Sequence, residues 1–169
     1  MPYLAPVNYL ETAPSPHSAI HYVGLPWESG LAETQQALVH SGLRHKITIQ
    51  TDGLLRTGRD VIIAPLLGAE EFAFGTALLV SIGCIMCRNC MQGRCPAGIA
   101  TQDERLRKRF KGTADQVKRY LLHVAEDVRH HLAMLGFRRL NEIVGRADLL
   151  RLRDDLAGRL ASLDFSRLL

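Results

Sequence analysis

The chain has 169 residues, 47% of them apolar and 22% charged, and carries a net charge of +4. That length suits one ordinary domain with a sizeable core, and the balance is that of a soluble globular protein. It excludes a membrane-spanning design: the longest charge-free run, residues 72–87, is broken by glycines and falls short of the roughly 18 to 20 apolar residues that a span needs.

The N-terminal MPYLAPVNYLETAPSP has no basic stretch followed by an apolar one, so no secretory signal is expected and the cytoplasm is the expected compartment. Five of the seven prolines lie in the first 26 residues, which predicts an extended, irregular arm over 1–26. Pro26 suits the first turn of a helix, and Leu31, Ala32, Ala37, Leu38 and Val39 give that helix an apolar face until Gly42 stops it. KITIQTDG, residues 46–53, alternates and is β-branched, so it reads as a strand ending in an Asp-Gly turn. Thr57 then caps a helix through VIIAPLLG that is apolar on all sides and kept short or kinked by Pro65. A second strand is expected over residues 71–75, followed at once by the helical TALLVSIG. This alternation predicts parallel strands joined by helical crossovers, the unit of α/β barrels and doubly wound sheets.

Beyond residue 102 the pattern turns helical. Thr113 and Gln116 form a capping-box pair, and Val117, Tyr120, Leu121, Val124, Val128, Leu132 and Leu135 recur at helical spacing up to Gly136. A leucine-rich stretch from Leu149 to Leu163 has the same period. Residues 103–119 carry seven Lys or Arg against three acidic residues, but Phe110 is the single ring before Tyr120. A solvated face is therefore expected there, and neither a nucleic acid nor a membrane as partner.

Chemistry concentrates in two places. The turns TDGLLRTG and AFGTA follow consecutive strands and should open at the same end of the sheet, where Gly53, Gly58, Gly75 and Thr76 allow backbone N–H groups to approach a phosphate. The other place is CIMCRNCMQGRCP, which packs Cys84, Cys87, Cys90 and Cys95 into twelve residues as C-x2-C-x2-C-x4-C-P, one residue longer in its last gap than the bacterial ferredoxin run. An iron–sulfur cluster fits this compact run. Zinc is the rival reading, although zinc frameworks usually present two separated C-x2-C knuckles. Disulfides are disfavoured by the expected reducing compartment, and a thioredoxin-like pair lacks its strand-then-helix setting. The seven histidines are scattered, and adjacent His130 and His131 point apart on a helix.

In their order along the chain, GLPWESGLAETQQALVHSGLR, TDGLLRTGRDVIIAPLLGAEEFAFGTALLVSIGC, CRNCMQGRCPAGIATQDERLRKRFKGT and AEDVRHHLAMLGFRRLNEIVGRADLL resemble the FMN-binding synthase domain of the glutamate synthase family, from about Ser15 to Leu169. The resemblance implies a fold class of α/β, a partial (β/α)8 barrel contributing its last strand–helix units over 27–83, about two strands of eight. A cluster loop over 84–102 and a helical segment over 103–169 would follow. It also implies an iron–sulfur flavoenzyme that forms glutamate from glutamine, 2-oxoglutarate and reductant, of which this chain would be a fragment or split subunit without activity of its own. Cys84, Cys90 and Cys95 would ligate a [3Fe-4S] cluster, while Asp52, Gly53, Leu54, Gly75 and Thr76 would belong to the loops around the FMN phosphate. Cys87 is additional to the family's three ligands, stands where the family has a non-ligand residue, and would make a [4Fe-4S] site if it joined them. Leu54 stands where the family typically has a second glycine. Implied partners are the remaining barrel and glutaminase polypeptide or a same-family subunit, and an electron-donor protein or subunit. A non-catalytic electron-transfer subunit or a zinc-stabilised interaction module is the alternative.

Overall fold

The computed structural model describes residues 3–8, 26–153, 155–158, 162, 164–166 and 169. Three parallel strands, β1 (Tyr3–Asn8), β2 (Ile47–Asp52) and β3 (Glu71–Ala73), lie side by side in chain order. Helix α1 (Trp27–His40) precedes β2, and α2 (Gly58–Leu66) connects β2 to β3. The alternation expected from the sequence is thus present, with residues 50–52 of β2 in register with residues 71–73 of β3.

Strand β1 corrects the expectation of an irregular arm. It pairs with β2 over its whole length, and Pro6 stands in register with Gln50. A proline has no N–H to donate, but among the described residues β1 has a neighbour on one side only, and an edge strand tolerates the missing donor. Among the described residues three strands rather than two are therefore present. The remainder of the proposed arm, residues 9–25, lies outside the described residues.

Helix α2 is the centre of the core. Thr57 and Asp60 close a reciprocal capping box at its start: the Asp60 N–H donates to the Thr57 hydroxyl, and the Thr57 N–H to the Asp60 carboxylate. It lasts nine residues and ends one residue after Pro65, the short helix that this proline predicts. One side, with Ala64, packs with Leu67 on Ile49 of β2 and on Trp27 and Leu31 of α1. The other side, Val61, Ile62 and Leu66, packs on Val124, Val128 and Leu132 of the long helix α5 (Ala114–Leu135). Each such fully buried side chain contributes about 1.5–3 kcal/mol. Helix α5 follows two short helices, α3 (Thr76–Ser81) and α4 (Glu104–Arg107). It begins at the Thr113–Gln116 capping box and ends at Gly136 in the left-handed conformation, as its pattern predicts.

The helix expected from Leu149 to Leu163 is absent among the described residues, where a 3-10 turn (Ala147–Leu149) gives way to irregular chain. Arg146 grips Asp148 and Arg153 grips Asp155, each through paired hydrogen bonds. Side chains two residues apart diverge on a helix, so these pairs demand a non-helical backbone. No helix among the described residues is long and apolar enough to cross a membrane.

Arg44 ties the amino ends of the strands together. Its guanidinium donates to Gln35 Oε1 at 2.5 Å, Ile47 O at 2.6 Å, Gly68 O at 3.0 Å and Glu70 Oε2 at 2.8 Å. Glu70 in turn accepts from the Ile49 N–H. Arg44→Met leaves four acceptors without their donor and is expected to lower stability by about 2–3 kcal/mol, read as a fall in the urea midpoint; the half-exposed Glu70 can turn to water, which limits the loss. Arg44→Lys should recover only part of it, because a single ammonium cannot serve so many directions at once. An unchanged midpoint in Arg44→Met would remove this role.

Candidate functional site

Both turns singled out from the sequence leave the carboxyl ends of adjacent parallel strands, so they open on the same side of the sheet. In the β2–α2 turn, half-buried Asp52 ends the strand and buried Gly53 follows with φ 129°. Leu54 comes next at φ 60°, a left-handed conformation that side chains rarely adopt and that glycine takes readily. In the β3–α3 turn, Gly75 is exposed and no protein atom lies within 4 Å of where its Cβ would be. Thr76 opens α3.

Gly58 has a different task from the one its place in the turn suggests. A Cβ there would stand 2.6 Å from the backbone of Asp127 and Val128, so this glycine is what lets α2 touch α5. Its N–H donates to Asp127 Oδ2 at 2.7 Å, while the Arg56 and Thr57 N–H groups donate to Asp60. Donors at the start of α2 are thus taken by two carboxylates, and a phosphate would have to use the turn before it. The Tyr120 hydroxyl donates to Arg56 O at 2.6 Å, giving α5 a second hold on the same turn. Burial, and then the nearby Asp60 carboxylate, push that phenol above its ordinary pKa, which keeps it a donor.

The four cysteines are free thiols that line one pocket, and Leu54 and Thr76 stand in the same wall. The structure therefore joins two sites that the sequence presents separately. Asp52, Gly53 and Gly75 lie beside this pocket in chain but do not line it. Cys95 is the most enclosed of the thiols, 3% exposed. The N–H of Ala100, with those of Ile99, Ala97 and Gly98, holds it below the usual thiol pKa against the opposing effect of burial. Cys90 is pushed up, first by burial and then by the charges of Cys84, Cys95 and Cys87. The turn after Cys95 depends on Gly98, at φ 76°, where a Cβ would sit 2.4 Å from Leu106 O of α4. Among the described residues no three His, Cys, Asp or Glu side chains stand close enough to hold a single metal ion.

Charge gathers around this loop. Arg88, Arg94, Arg105, Arg107, Lys108, Arg109 and Lys111 are all exposed, and residues 84–111 set them against Asp103 and Glu104 alone, a surplus larger than the +4 of the whole chain. Sequence reasoning missed Asp127 and Tyr120, since their partners lie 69 and 64 residues away and leave no local pattern.

These features define a mixed α/β protein of consecutive parallel strand–helix units, with a thiol-lined pocket at the carboxyl end of its strands. Residues 11–138 match the family model described as the conserved region in glutamate synthase, and the chain belongs to the glutamate synthase family. It is 49% identical over 155 residues to the glutamate synthase [NADPH] large chain of Azospirillum brasilense, covering 92% of this chain and 10% of that one. To the Bacillus subtilis large chain it is 52% identical over 139 residues, covering 82% and 9%. The chloroplastic ferredoxin-dependent glutamate synthase 2 of Arabidopsis thaliana is 48% identical over 143 residues, covering 85% and 9%. The chain thus spans about a tenth of the length of these relatives. In fold it is similar to a flavocytochrome b2 variant solved with sulfite bound, at a TM-score of 0.54 and 18% identity over 90% of this chain and 33% of that one.

Proposed function

We propose that this chain forms the last strand–helix units of a (β/α)8 barrel in a glutamate synthase, and that it carries both the cluster ligands and part of the FMN phosphate site. The observation that carries this reading is the shared pocket, in which the cysteines meet Leu54 of one βα turn and Thr76 of the next. Sequential strand order supports the barrel: right-handed crossovers that always advance the same way put every helix on one face, as barrel closure requires, whereas a doubly wound sheet reverses direction.

Asp52, Gly53, Leu54, Gly75 and Thr76 would hold the flavin phosphate through the two turns, the empty space at Gly75 giving the phosphate room for close approach. Cys84, Cys90 and Cys95 would ligate a [3Fe-4S] cluster, Cys95 already being set toward the thiolate that a ligand must become. When bound, the flavin and the cluster supply the electron transfer that converts 2-oxoglutarate and glutamine-derived ammonia to glutamate. The rest of the barrel and the glutaminase part would come from further polypeptide, and the exposed cations around the loop suit an electron donor with an acidic surface. The zinc alternative has no support among the relatives, all of them glutamate synthases, and the single compact cysteine run differs from the two separated knuckles of the usual zinc framework.

Anaerobic loading of the purified chain with ferrous iron and sulfide, followed by iron, sulfide and zinc analysis, tests the reading. Iron and labile sulfide in cluster proportion are expected; zinc without sulfide would overturn it.

A further inference from the structure

We propose that Cys87 is a fourth ligand in this pocket, so that the chain holds a [4Fe-4S] cluster rather than the three-iron group of its other cysteines. The inference rests on the iron–sulfur reading above.

Cys87 lines the same pocket as Cys84, Cys90 and Cys95. Ile85, Met86 and Arg88 line the pocket as well but are exposed, Ile85 at 64% and Met86 at 50%, whereas Cys87 is only partly so. Hydrophobic burial alone would favour the opposite, with the two large apolar side chains covered and the thiol outside. The backbone maintains this arrangement at a cost. Met86 at φ 53° and Arg88 at φ 57°, on either side of Cys87, both occupy the left-handed region, at about 1–2 kcal/mol each.

A cluster gives each thiolate its own iron, so thiols that line one pocket together need not meet at a single point. A three-iron core has one iron fewer than the four-iron cluster, and a further thiolate is a ligand that would retain the fourth iron. In the balanced step, the reduced three-iron core of charge zero takes up one ferrous ion and becomes the four-iron core of charge 2+. Cys87 binds the entering iron through sulfur as its thiol proton leaves to solvent. No electron is gained or lost, and ferrous iron is the co-reactant.

The full chain and Cys87→Ala, both loaded anaerobically with ferrous iron and sulfide, are compared by iron and sulfide content and by EPR. The unaltered chain is expected to hold about four irons, to be silent when oxidised and to give a signal on reduction; Cys87→Ala should hold about three and give its signal when oxidised. The unaltered chain alone can decide against the proposal. An oxidised three-iron signal there would dismiss Cys87 as a ligand while leaving the cluster reading intact. Absence of any iron–sulfide group from it would overturn both.

Discussion

Cys95→Ser is expected to lower the iron and sulfide retained after anaerobic loading by more than about tenfold, with the urea midpoint of the unloaded chain little changed. Serine fills nearly the same space, so the 3% exposed site stays packed. What is lost, on the proposed reading, is a sulfur ligand. The neighbouring N–H groups, led by that of Ala100, favour its thiolate. Serine's hydroxyl holds its proton far more strongly than a thiol does and cannot take this place at neutral pH. Retention of the full iron and sulfide content by Cys95→Ser would exclude Cys95 as a ligand. The same substitution at the more exposed Cys84 should give a smaller loss, because water and a serine oxygen can reach the vacated position more easily.

Gly58→Ala is expected to destabilise the chain by about 3 kcal/mol, and the sign of the change is diagnostic. Judged by helix propensity alone, alanine in place of a helical glycine stabilises by up to about 1 kcal/mol. Against this, the added methyl meets the Asp127 carbonyl carbon and the Val128 nitrogen at 2.6 Å, both of them backbone atoms that cannot rotate aside. Helix α5 must shift, which disturbs the contacts of Val61 and Ile62 with Val124 and Val128 and lengthens the bond from the Gly58 N–H to Asp127. A raised urea midpoint would show that the two helices do not touch there.

The elements legible in the sequence are those built from contacts within a few residues. Helix α2 announces itself through Thr57 and Asp60, three residues apart, and α5 through Thr113, Gln116 and the terminal Gly136. Strand β2 shows in its alternation, with Ile49 and Thr51 buried and Gln50 and Asp52 only partly so. Strand β1 was hidden because proline content speaks against a strand interior, while edge position, which makes Pro6 acceptable, depends on which strands pair. The leucine period after Leu149 misleads because it is a weak helical pattern, and the Arg153–Asp155 pair, two residues apart, goes with a non-helical backbone there.

At the site, the spacing of Cys84, Cys90 and Cys95 and the glycines of the two turns could be read directly. That the cysteines share one pocket with Leu54 and Thr76 of those turns could not, since this depends on two parallel strands delivering separate turns to the same end. The role of Gly58 was misread as an opening toward a ligand, because a glycine cleared for a ligand and one cleared for a helix look alike in sequence.

The two bonds by which α5 fastens the β2–α2 turn also set an order of assembly during synthesis. A chain emerging from the ribosome has the whole turn, residues 53–57, available long before Tyr120 and Asp127 follow it out. Until then the Arg56 carbonyl and the Gly58 N–H are left to water, and the turn that brings Leu54 to the pocket lacks both of these holds. The cysteines emerge inside that same interval, after the turn and before its fasteners. The thiols are therefore exposed to the cell before the pocket that encloses them is complete, an interval in which a metal or an oxidant can reach them more easily than at any later time.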